Sequence, residues 1–396
     1  MHDLLLKGGL VIDPAEGVHE VRDVAIKDRK IVDVAKDIAS SKARKVIPVT
    51  GRLVTPGLID LHCHPGTGLR RAAVDPDEIG VHSGVTTICD GGTSGAANFH
   101  QLRKYAIESA KTDMFCFLNL AMTGLVTTPE IWNEHDINIE MTRDVIEENR
   151  DVIKGVKIRA ISPLAEGIGM KALDIAKKLA ADVKMPLMLH IGEPRDRSGD
   201  NTLDDFTREA VRLLGRGDII SHFMTWGCGG LITMDGTISP ELLEARKRGV
   251  ILDACHGLSN FSFTVAEHAI TMNILPDIIS TDLGLISLST VQSLLITMSK
   301  FMNLGFDIKN VVEMATINPA KTLGEEGRRG SLKIGMPADV TVLEKLNGDY
   351  LFSDGKGRGS LRGSCLLEPR LVLKDGMEMP CFSRYQIPPI YQNIER

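Results

Sequence analysis

Aromatic side chains are scarce in this 396-residue chain, which has two Trp, four Tyr and eleven Phe. A sizeable core must therefore rest on Leu, Ile, Val, Ala and Met. Clustered Lys and Arg are also missing, and the net charge is −6. That balance argues against nucleic acid, whose phosphates are held by basic patches. No uncharged apolar run reaches the roughly 18 residues of a membrane-spanning helix, so no membrane partner is expected. Met1-His2-Asp3-Leu4 does not open a basic segment leading into an apolar one, so no signal peptide is expected either. The seven cysteines are few and odd in number. Most, such as Cys89 and Cys116, sit in apolar runs and read as buried reduced thiols, which fits a cytoplasmic location. Cys228, in Trp-Gly-Cys-Gly-Gly, has a loop-like setting, yet a bland role is favoured there too.

What is present is an alternation of short apolar runs with longer helical stretches. The chain is too long for one small core and fits a barrel of roughly 250 residues plus a satellite domain. Eight runs read as strands: Leu58–His62, Val85–Cys89, Phe115–Leu120, Gly155–Ile158, Pro186–His190, Asp218–Ser221, Val250–Asp253 and Ile278–Thr281. Between them, segments such as Met170–Val183, Leu203–Leu214 and Pro240–Arg248 carry apolar residues three and four apart. Such alternation predicts parallel βαβ units, and eight of them close a barrel. Both ends of the chain behave differently. Leu4 to Ile12 reads as strand–turn–strand around Lys7-Gly8-Gly9, and Ala338–Leu343 and Pro369–Lys374 read as strands between turn residues. The expected fold is α/β: a (β/α)8 TIM-type barrel over 57–323, with a small β-sandwich domain built from 1–56 and 324–396. Asp354 to Gly359 is the most flexible-looking stretch, and there is no internal repeat or low-complexity linker.

In a βα barrel the chemistry lies at the C-terminal ends of the strands. The polar residues there are His62 and His64, Lys157, His190, His222, His256 and Asp282. Each alone has a dull explanation. A single His is often a satisfied polar residue, and an Asp after a strand is commonly a cap or turn. His-x-His does place two imidazoles on one face of a strand. The joint pattern of imidazoles, an amine and a carboxylate is what points to a metal site, because imidazole and carboxylate suit Zn²⁺ and similar ions.

The run Val54-Thr55-Pro56-Gly57-Leu58-Ile59-Asp60-Leu61-His62-Cys63-His64 resembles the opening motif of the amidohydrolase superfamily. The resemblance continues through Gly155-Val156-Lys157, Leu189-His190, Ser221-His222, Ser280-Thr281-Asp282 and Ala315–Ala320, and closes at Gly330–Asp339. It spans nearly the whole chain. His190-Ile191-Gly192-Glu193-Pro194 and Cys255-His256-Gly257 are similar to a dihydroorotase-like branch of N-acyl-amino-acid deacetylases.

The resemblance implies a hydrolase with two divalent metal ions, most simply zinc, and a metal-activated hydroxide attacking an amide or ester. His62, His64 and Asp282 would hold the more buried ion, and His190 and His222 the more exposed one. Lys157, carboxylated by CO₂, would bridge them. Lys154 competes for that role, but Lys157 lies inside the Gly-Val-Lys-Ile-Arg strand run. Asp282 would double as general acid and base. The expected substrate is a small, anionic N-acetyl or N-acyl amino acid, or an acyl ester. His256 and Arg159 are candidate substrate contacts, Arg159 because it shares a strand face with Lys157 and can grip a carboxylate with two bonds. Arg70 and Arg71, in the first loop, suit an anion equally well as they suit solvent, and Gly91–Gly95 could approach substrate with its backbone. A cyclic-amide hydrolase of the dihydroorotase or hydantoinase type remains open on the same ligands. A single-metal deaminase would use Glu193 as proton shuttle, and a non-catalytic scaffold should have lost ligands that are all present here. Self-association into a homo-oligomer is left open.

Overall fold

The computed structural model describes residues 1–70, 72–195, 201–355 and 359–386. Arg71 and residues 356–358 of the flexible-looking stretch lie outside the described residues.

Strands from both ends of the chain make one sheet. It contains β1 (His2–Asp13), β2 (Val18–Lys27), β3 (Lys30–Ala35), β4 (Ala43–Pro48) and β5 (Leu53–Pro56) from the N-terminal part. Three more come from the far end of the chain: a strand at Val340–Ser353, one at Ser360–Lys374 and a short one at Met377–Met379. The sheet closes on its own cluster of Leu6, Val11, Val24, Ile31, Val54, Val340 and Leu373, so the expected sandwich is built from a continuous hydrogen-bonded path. Lys7-Gly8-Gly9 is not the turn that its composition suggested. It is an irregularity inside β1, where pairing with β2 shifts between Leu6 and Gly9 and Gly8 takes φ +76°. A glycine pair there serves a bulge, which keeps the strand running.

The middle of the chain forms the barrel. β6 (Leu58–Cys63), β7 (Val85–Asp90), β8 (Asp113–Asn119), β9 (Ile153–Ala160), β10 (Leu187–Ile191), β11 (Ile219–Ser221) and β12 (Ile251–Asp253) pair in parallel, each with the next. Nearly every residue in them is buried, as expected for strands covered on both faces. The eighth position, Ile278 to Leu283, is bridged by Ile278 to Asp253 and by Leu283 to Cys63 instead of forming a regular strand. The amides of Asp282 and His64 complete the seam, donating to the His62 and Leu283 carbonyls (both 2.6 Å). The ladder breaks there because Asp282 takes φ +55°, which a β-strand does not allow.

Helices cover the outside. Thr202–Arg212 buries Leu203, Phe206, Ala210 and Val211 at helical spacing. Leu294–Asn303 is capped by the Ser293 hydroxyl and is buried from Leu294 to Phe301, because it runs between the barrel and the strand Ser360–Lys374. Among the described residues no helix is long and apolar enough to cross a membrane.

Candidate active site

The C-terminal ends of the barrel strands bring six of the expected residues together. His64 Nε2 lies 2.8 Å from Asp282 Oδ1, and His62 Nε2 lies 3.7 Å from the same oxygen. Lys157 Nζ is 3.3 Å from His62 Nε2. The His190 and His222 rings meet edge to face with centroids 4.4 Å apart, and His62 sits 5.3 Å from His222.

Neighbouring groups decide which ring nitrogen each imidazole presents. Ser221 donates its hydroxyl proton to Asp253 (3.0 Å), so His62 Nδ1 must donate to Ser221 Oγ (3.0 Å). His222 Nδ1 faces the Cys255 carbonyl at 2.8 Å, which can only accept. His64 Nδ1 meets the Thr93 hydroxyl at 2.9 Å, and His190 keeps a backbone hydrogen bond with Gly192. For His62, His190 and His222 the bond at Nδ1 leaves Nε2 as a lone pair, the arrangement of metal-binding histidines, whereas His64 Nε2 is hydrogen-bonded to Asp282. His190 Nε2 and His222 Nε2 are buried with no hydrogen-bond partner, an expensive condition unless another atom belongs there. Burial holds His222 down to about 4, and His62 and His190 well below the usual imidazole range, so all three rings are neutral at pH 7, as metal binding would require.

Burial likewise pushes the Lys157 amine down to about 8. Burial would raise the Asp282 carboxyl, but the hydrogen bond and charge of His64, with His222 and Lys157 behind them, outweigh it and hold the group at about 2. Glycines make room for this crowding. A Cβ on Gly91 would run into the His62 ring, and one on Gly92 would lie 2.6 Å from Lys157 Cγ. The start of the Gly91–Gly95 loop therefore packs against His62 and Lys157, and of its residues Gly91 lines the cleft. Neutral imidazoles, two of them with orphaned lone pairs, beside the ionised Asp282 fit divalent metal ions by donor type.

Above them opens a cleft of about 160 Å³, lined in part by Arg70, Leu125, Arg159, Leu258, Asn260 and Ile286. Arg159 and Arg70 thus stand where they were expected, although Arg159 also makes a short ion pair with Glu130. His256 does not reach the cleft. Its ring is fully buried, stacks on Phe261 and has both nitrogens engaged, Nδ1 with the Gly257 carbonyl and Nε2 with Lys300 Nζ (2.8 Å each). The expected substrate contact is therefore absent from this arrangement. Glu193 also turns away, accepting from the Ser162 amide (2.7 Å) and hydroxyl (2.8 Å). Lys154 points to the other end of the barrel, 2.7 Å from Glu325.

Sequence reasoning missed Ser221, Asp253, Thr93, Glu130 and Lys300. It also took the cysteines as bland, whereas Cys255 Sγ falls within 4.8 Å of ligand atoms of His62 and His222. The signal was available in part, since Asp253 and Cys255 share the parity of one strand and so one face.

Comparison with known proteins agrees with this geometry. A model of the amidohydrolase family matches residues 237–364. The protein named Deacetylase Atu3266 from Agrobacterium fabrum (strain C58 / ATCC 33970) is 35% identical over 362 residues, 90% of this chain and 86% of that protein. Two solved structures align with a TM-score of 0.86. One, described as a dihydroorotase, is 32% identical and covers 98% of this chain and 100% of its own. The other, described as an adenine deaminase, is 29% identical and covers 96% and 100%. Barrel, histidine cluster and these likenesses lead to one assignment: the chain belongs to the amidohydrolase family, hydrolases acting on carbon–nitrogen bonds.

Proposed function

We propose that this protein is a binuclear metal-dependent hydrolase that removes an acyl group from a small anionic compound, an N-acyl amino acid or an acyl ester. The observation that carries the reading is the convergence of His62, His64, His190 and His222 on Lys157 and Asp282, with the buried Nε2 atoms of His190 and His222 orphaned. His62, His64 and Asp282 would hold one ion, and His190 and His222 the other. Zinc suits these nitrogen and oxygen donors. Lys157 would bridge the ions as a carbamate. An amine lowered to about 8 is partly unprotonated at neutral pH, as addition to CO₂ requires.

When bound, the ions supply water of lowered pKa and polarise the scissile carbonyl. Asp282 takes the proton of the attacking water and returns it to the leaving nitrogen or oxygen as the acyl bond breaks. Its low pKa keeps Asp282 ionised at neutral pH, the form in which a carboxylate can take a proton. Arg159 and Arg70 hold the substrate's anionic group at the mouth. The deacetylase name of the A. fabrum relative supports the acyl class over a cyclic amide. Glu193, occupied by Ser162, is poorly placed for the proton shuttle of a single-metal deaminase. Six of the seven cysteines are buried, which fits a reducing, cytoplasmic location.

The test is metal content per chain on protein purified without chelator, for wild type and Lys157→Ala, followed by hydrolysis of N-acyl amino acids, acyl esters and cyclic amides. About two ions falling to one or fewer, with acyl release, is the expected result. One ion, indifferent to the substitution, would remove Lys157 from the bridge. Turnover of cyclic amides alone would replace the acyl reading with the dihydroorotase-type one.

A further inference from the structure

His256, Lys300 and one corner of the terminal sheet meet behind the cleft wall. Lys300 lies on the buried helix Leu294–Asn303 and is 1% exposed. A buried amine needs a partner, and Lys300 Nζ donates to His256 Nε2 at 2.8 Å. The direction of that bond follows from the ring's other side. The Gly257 carbonyl can only accept, so His256 Nδ1 carries the proton and Nε2 is the acceptor. Stacked on Phe261 with centroids 4.6 Å apart, the ring joins both ends of the segment Gly257 to Phe261.

The terminal sheet holds the same segment from the other side. Asp354 accepts from the Phe263 amide (3.2 Å) and the Gly359 amide (2.7 Å). Gly355, at φ +94°, packs so closely that a Cβ there would run into the Leu258 carbonyl. The segment faces the site directly. Leu258 and Asn260 line the cleft, and a Cβ on Gly257 would lie 2.8 Å from Asp282 Oδ2.

We infer that Lys300, acting through His256, and the Asp354–Gly355 corner of the terminal sheet are positioning residues that set the cleft wall Gly257–Asn260 against Asp282. The terminal sheet then belongs to the working parts of the site without touching substrate. This inference goes beyond the hydrolase reading, because it concerns the wall whichever bond is cut. Burial lowers the Lys300 amine to about 7 and raises Asp354 to about 6, a sign of how fully both are enclosed.

Trp226 supplies a readout independent of any substrate, because its Nε1 donates to the Ser259 carbonyl (2.8 Å) inside the segment. The chain has two Trp, so Trp132→Phe leaves Trp226 as the sole emitter. In that background Lys300→Met and Gly355→Ala, made separately, should each shift Trp226 emission. On any substrate found, each should raise KM about tenfold with kcat nearly unchanged and metal content at the wild-type level. Lys300→Met combined with His256→Phe should cost no more than the worse single change, as expected for residues acting in series. Variants that lower only Tm, with Trp226 emission and KM as in wild type, would overturn the inference. Should Lys300→Met fail to fold, Gly355→Ala decides the matter by the same emission and KM readouts. Failure of the hydrolase reading would appear separately, as absent turnover with the emission shifts intact.

Discussion

The two ends of the barrel treat buried polar groups in opposite ways. At the N-terminal end, charges are matched. Arg329 pairs with Asp113 (2.6 Å) and lies over the Phe115 ring, and Lys374 reaches both Asp339 and Asp113 (3.0 Å each). At the C-terminal end four imidazoles crowd an amine, two ring nitrogens have no partner, and both His222 and Asp282 take positive φ. Ion pairs neutralise the buried charges at one end, whereas at the other neutral imidazoles crowd together with two nitrogens unpartnered. Two neighbouring imidazole nitrogens without partners cost stability that a bound atom would recover, and that marks the C-terminal end as the place for one.

That contrast can be broken from either end. Asp282→Asn, which keeps shape but loses the base, should lower kcat by roughly 10²–10⁴-fold with Tm close to wild type, measured by steady-state kinetics and melting. Lys374→Met should do the reverse. It strands buried Asp339 and leaves Asp113 to Arg329 alone, so chemical denaturation should show a loss of about 3 kcal/mol while kcat/KM per folded molecule holds. Ser221→Ala removes the group that fixes the His62 tautomer, and chelator competition should find metal affinity weaker by roughly 10–100-fold.

The smallest effect is in pH. Burial alone would raise Asp113, but Lys374 and Arg329 hold it below 3.8. Its contribution is therefore complete above that value and is lost as pH falls further. Melting curves between about pH 4 and 2 should steepen less in Lys374→Met than in wild type. Equal slopes would show that Asp113 owes its low pKa to Arg329 alone.

The parts of the molecule legible from sequence were those written in local periodicity. Seven of the eight expected barrel strands appear as regular parallel strands, and six ligand-type residues converge, because a strand end is a place that sequence can locate. What stayed hidden depended on contacts between distant segments. The parity of Asp253 could be read, but its bond to Ser221 joins two strands, and Lys300 finds His256 across 44 positions. His256 had the right composition and strand end for a substrate contact, yet its ring is held by Lys300 and Phe261 instead. The eighth strand failed as a regular strand at Asp282, where the backbone turns left-handed. Lys7-Gly8-Gly9 misled because a bulge and a turn call for the same residue.

Left-handed backbone at His222 and Asp282 carries a consequence for the history of such a chain. A side chain there costs on the order of 1 kcal/mol relative to glycine. Each generation that keeps histidine and aspartate therefore pays a small tax in folding stability. A lineage released from its chemistry would drift toward glycine or asparagine at these two positions and fold more firmly for it. Glycine at either position should therefore raise Tm while emptying one corner of the histidine cluster.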